Sequence, residues 1–177
     1  MRITKKQLIK IIGESAYLAK PVPPEILSGY IGMIRAMQLW FQSAHNLTKG
    51  PGFAGDHVNL YGKIYTDLQD EYDAAVEKAI GITGDEGIGC PKHVTSVALG
   101  ILGRYPSPAG MSSLDIAKAA SGMVNDYIDT ITDLFYTLEE MGSLPLGLND
   151  FLAASANTHE SYAYLLSQRI KGVFHGE

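Results

Sequence analysis

Two histidines twelve residues apart, His45 and His57, flank a Lys-Gly-Pro-Gly turn in the stretch AHNLTKGPGFAGDH. A neutral imidazole with a bare ring nitrogen is a ligand for borderline transition metals. The pair is therefore a candidate metal site if folding brings the rings together. Asp73 and Glu77 are a second candidate, one helical turn apart, so that both carboxylates can address one cation. Each feature has a plainer use: a histidine on an apolar stripe serves as a hydrogen-bonded core residue, and an acidic ridge serves as a solvated face. Which use applies depends on the elements that carry these residues.

Prolines and glycines cut the chain into long blocks. KPVPP (20–24) precedes a helical run over 25–47, and TKGPGFAG (48–55) precedes a second from Asp56 to about Ile80. GITGDEGIGCP and RYPSPAG bracket a segment with room for one short helix. A third long run covers 112–142, opening with Ser112 and Asp115 in near capping-box spacing, and a fourth covers 148–172. No segment alternates as a strand would. Four long helices predict an antiparallel four-helix bundle. The connection from Ile80 to Ser112 is too long for a hairpin and predicts a crossover holding the short helix, the ferritin-like arrangement. The expected division is a basic tail over 1–23 and a bundle domain over 24–177.

On the first helix Leu27, Tyr30, Ile31, Ile34, Met37 and Phe41 form an apolar stripe that His45 continues. Leu39 and Trp40 fall on other sides, a second apolar face that suggests a subunit interface. On the second helix Asp70, Asp73 and Glu77 form an acidic ridge away from the apolar face. Glu-x-x-His, the pair that builds a di-iron centre inside a bundle, occurs nowhere in the chain.

The chain has 177 residues, 46% hydrophobic and 19% charged, a globular composition. The net charge of −5 divides into +4 over residues 1–20 and −9 over the rest. The acidic body argues against nucleic acid on the main surface, whereas Arg2, Lys5, Lys6 and Lys10 could neutralise phosphates. Ile3, Leu8, Ile11 and Ile12 give the same tail an amphipathic pattern, and a helix docked on the body or a solubilising arm is the plainer use for it. One cysteine, Cys90, excludes an intrachain disulfide, and no run reaches the ~18 apolar residues of a membrane span. A cytoplasmic protein is the expectation. His93, His159 and His175 read as surface or capping groups.

The stretch HNLTKGPGFAGDH resembles the HWNVKGPHFxxLH form of the Dps family, the miniferritins that protect DNA during starvation. His45, Lys49, Gly50, Pro51, Phe53 and His57 fall in register. DEYDAAVEKAIGIT is similar to the end of that family's second helix, and NDFLAASANTHESYAYLLSQRI to its last. The resemblance covers about residues 25–172. It implies an iron-oxidising site between subunits, with His45 and His57 from one chain and Asp73 and Glu77 from its mate. It also implies a hollow homo-oligomeric shell, a dodecamer, that stores ferric iron and protects against oxidative damage, in some members with a lysine-bearing tail that binds DNA nonspecifically. The acidic pair matches only if one residue is inserted after His57, so the helix must absorb that residue near its start. Asn46 replaces the family's tryptophan, and Tyr61 or Gly62 replaces an acidic residue. The alternative is a ferritin-like shell or DNA- or partner-binding protein that has lost the ferroxidase site.

Overall fold

A computed structural model of the chain describes Thr4, Gln7 and residues 22–172. The tail cations Arg2, Lys5, Lys6 and Lys10, and His175, lie outside the described residues. Helix α1 (Pro24–Leu47) carries proline in its first turn, where a backbone N–H would lack an intrahelical partner anyway. Beyond the turn that follows, a π-helical stretch (Gly55–Gly62) runs without interruption into α2 (Lys63–Thr83). A 3₁₀ turn (Glu86–Gly89) and α3 (Pro91–Leu102) lie in the crossover. Helix α4 (Ser113–Glu140) begins at the expected cap: the Ser112 hydroxyl oxygen accepts from the Asp115 backbone N–H at 3.2 Å. Helix α5 (Leu146–Lys171) completes the bundle. No strand occurs among the described residues.

The topology is the ferritin-like one. Short turns join α1 to α2 and α4 to α5 as antiparallel pairs, and the long crossover links the two pairs. α1 packs on α2, α3 and α4, α4 packs on α5, and α2 meets α5. The core follows from helical periodicity: Ile31, Ile34, Met37 and Phe41 of α1 meet Ile64 and Leu68 of α2, with Ile116, Met123 and Leu138 of α4 and Leu166 of α5, all fully buried.

The second apolar face of α1 has a use within the chain. Trp40 is buried, packs edge-on against Phe41 at 5.2 Å, and donates its indole N–H to the Pro106 carbonyl at 2.9 Å. The crossover covers that face because α3 lies against it, and only Leu39 remains partly exposed there. Closeness of the two helices depends on Gly32: a Cβ at that position would collide with the Val97 side chain. Gly32→Ala should therefore destabilise the fold by about 1–3 kcal/mol, despite alanine's better helix propensity. Adding Val97→Ala should recover part of the loss, as read by thermal unfolding of the single and double variants.

Candidate functional site

His45 lies in the last turn of α1, and His57 lies in the π-helical stretch, so the turn between them folds the two rings together. They stack at 3.7 Å with 17° between their planes. Phe53 stacks on the other side of His57 at 4.8 Å, and Tyr65 lies 5.3 Å from His45. Hydrogen bonds hold the pair reciprocally. His45 Nδ1 donates to the His57 carbonyl at 2.6 Å, and His57 Nδ1 donates to the His45 carbonyl at 2.7 Å.

Those two bonds fix the chemistry. A carbonyl oxygen only accepts, so each Nδ1 carries the proton, and in the neutral ring each Nε2 keeps its lone pair. Neither Nε2 is among the buried polar atoms that lack a partner. Backbone carbonyls thus set both tautomers, and Nε2 is the atom of each ring that could take a metal ion.

Two local features keep the turn in place. Asp56, buried beside His57, forms a two-pronged ion pair with Arg169 of α5: Nε donates to Oδ1 at 2.8 Å and Nη2 donates to Oδ2 at 2.9 Å. The bond to Asp56 raises the Arg169 pKa further above its ordinary value. The second feature is the π-helical stretch. An i→i+5 turn holds one residue more than an α-turn, so the helix has the room near its start that the sixteen-residue spacing from His57 to Asp73 asks for.

Asp73 and Glu77 are exposed on α2, as the acidic ridge predicts. The single chain does not bring them to the histidines: among the described residues, no three of His, Cys, Asp and Glu are grouped to hold a metal ion. Tyr61, at a position where the family resemblance looks for an acid, is fully buried, and its hydroxyl has no hydrogen-bond partner. Burial raises its pKa well above the phenol range, so it is a neutral phenol that packs the core. Asn46 is exposed.

The structure also contains a polar centre that the sequence reading passed over. Glu71 points into the bundle between all four long helices. Its Oε1 accepts from Tyr127 of α4 at 2.5 Å, from Ser155 of α5, and from Tyr30 of α1 at 3.4 Å. Its Oε2 accepts from His159 Nε2 of α5 at 2.8 Å. His159 is 1% exposed, so it is neither a surface nor a capping group as expected. Tyr127 and Tyr162 enclose its ring edge-on at 4.6 and 5.6 Å. A signal was present in the spacing: Leu68, Glu71 and Ala75 share one stripe of α2, as Leu152, Ser155, His159 and Leu166 share one stripe of α5. His93 is exposed and bonds the Ser28 hydroxyl at 3.1 Å, and Cys90 is exposed at the start of α3.

Burial alone would push the Glu71 carboxyl up, but the His159 hydrogen bond and charge, with the Ser155 and Tyr127 hydroxyls, hold it below the usual carboxylate range. The unfolded state therefore binds the proton first as pH falls. The contribution of Glu71 to stability is complete above its unfolded value of ~4.3 and is lost as pH drops through the depressed value. Glu71→Gln should cost about 3 kcal/mol near neutral pH. The wild-type and variant unfolding curves should converge in acid, and a gap independent of pH would contradict this reading.

No family model matches the chain, and no curated protein matches it. Two solved structures of Mycobacterium smegmatis Dps share its fold. One, a tetragonal form, is 16% identical with a TM-score of 0.65, over 87% of this chain and 86% of that one. The other is 17% identical with a TM-score of 0.64, over 87% and 81%. At this identity the likeness is one of fold. Among the described residues, no helix is long and apolar enough to cross a membrane.

Proposed function

We propose that this protein is a miniferritin: copies of the chain form a hollow shell, oxidise ferrous iron at sites shared between two chains, and store the ferric product. One observation carries the reading. The reciprocal Nδ1–carbonyl bonds leave His45 and His57 with bare Nε2 atoms on stacked, preorganised rings. The fold shared with the Dps structures supports it. The carboxylates of the site are Asp73 and Glu77, which face outward in the single chain, so a site built from all four residues takes two copies. An isologous dimer repeats it twice.

The donor set suits the reaction. Imidazole and carboxylate together bind ferrous iron and leave positions open for dioxygen or hydrogen peroxide, and carboxylate oxygens favour the harder ferric product. Electrons leave iron for the oxidant, and the ferric ion passes to the interior of the shell, which on this reading is a dodecamer. The tail cations Arg2, Lys5, Lys6 and Lys10 add phosphate contacts, so that many tails on one shell hold DNA by avidity.

Ferrous titration followed by absorbance of the ferric product tests the activity. Single substitutions His45→Ala and Asp73→Ala should each slow oxidation by roughly tenfold or more; unchanged rates would refute the assignment. Sharing is tested by mixing two inactive chains, one His45→Ala/His57→Ala and the other Asp73→Ala/Glu77→Ala. Random pairing leaves about a quarter of the sites intact in a two-chain site. No recovery after reassembly would place all ligands on one chain. Deleting residues 1–20 should abolish salt-dependent DNA retardation while iron oxidation persists.

A further inference from the structure

Gly62 ends the π-helical stretch five residues after His57. A Cβ built there would lie 2.5 Å from the His57 carbonyl oxygen and 3.0 Å from His45 Nδ1, the two atoms of one of the reciprocal hydrogen bonds. The obstruction on one side is backbone, so a side chain at 62 could be fitted only by moving the helix or the imidazole. In the turn before the stretch, Gly52 lies against the Asp56–Arg169 ion pair: its Cβ would lie 2.8 Å from Arg169 Nη2 and 3.1 Å from Asp56 Oδ2. The π-helical stretch is thus fixed at both ends, at its start by an ion pair to α5 and at its end by a missing side chain.

We propose that Gly62 and the Asp56–Arg169 pair are positioning residues that lock His45 and His57 in the Nδ1-protonated form with both Nε2 atoms bare. This inference rests on the reading that those atoms take ferrous iron. Without the lock each ring would exchange between tautomers and rotamers, and the two bare nitrogens would no longer be presented together.

The test uses the full chain without metal, labelled with ¹⁵N, and long-range ¹H–¹⁵N correlation spectra of the imidazoles. In the wild type His45 and His57 each show a protonated Nδ1 and a bare Nε2. In Gly62→Ala the His45 signals move to the averaged shifts of exchanging tautomers while the signals of buried His159 stay in place, and Tm falls. Gly122→Ala, at an exposed helical glycine with open space around it, is the control and raises Tm, as propensity alone predicts. Arg169→Gln is the second variant, read in the same spectra if Gly62→Ala does not fold, and it should average the His57 signals. Unchanged tautomer signals in both variants, or a rise in Tm for Gly62→Ala equal to the control, would overturn the proposal. Because the spectra require no iron, this result stands apart from the ferroxidase assay, in which loss of activity on replacing Asp73 would leave the tautomers untouched.

Discussion

One largely buried carboxylate, Glu71, ties the four long helices of this bundle together. Glu71 is only 11% exposed between the long helices, and an ionised carboxylate so far withdrawn from water is costly unless donors surround it. Its donors come from every other long helix: Tyr30 of α1, Tyr127 of α4, and Ser155 and His159 of α5. Sliding or rotating any one of these helices would break hydrogen bonds to a largely buried charge, so the cluster disfavours other registers. The azimuth of α2 follows. With Glu71 pointing inward, Asp73 and Glu77 lie about 200° and 240° around the helix and must point outward. The acid that ties the core together thereby sends the next two acids of the helix to the surface.

The histidines obey a second, local constraint. An imidazole alone leaves open which nitrogen carries the proton, and here two backbone carbonyls decide it for both rings. The π-helical stretch supplies the backbone path that makes the exchange of bonds possible, held by the Asp56–Arg169 pair and by the absence of a side chain at Gly62. Stacking by Phe53 adds apolar cover on the outer face. The result is a pair of imidazoles organised within one chain and a carboxylate pair, Asp73 and Glu77, exposed on α2 and not grouped with it.

Much of this was legible in the sequence. Pro24 and the glycine-rich breaks marked the helix boundaries to within a few residues, and the length of chain from Ile80 to Ser112 required a crossover. The spacing of His45 and His57 around a turn placed them at adjoining helix ends. Glu71 was not singled out and His159 was weighed alone, whereas their meaning lies in a contact between residues 88 apart. The Trp40 face was read as an interface because helical periodicity reports which faces are apolar and says nothing of what covers them; here the crossover does. The resemblance asks for an extra residue near the start of the second helix, but the π-helical form of Gly55–Gly62 beside the Asp56–Arg169 pair was not legible in the spacing.

Anomalous diffraction at the iron edge, from crystals soaked anaerobically in ferrous salt, addresses the central claim most directly. A peak within bonding distance of the Nε2 atoms of His45 and His57 of one chain, and of Asp73 and Glu77 of its neighbour, is the result this account requires. Iron bound elsewhere, or His45 and His57 without iron while the rest of the crystal takes it up, would contradict it.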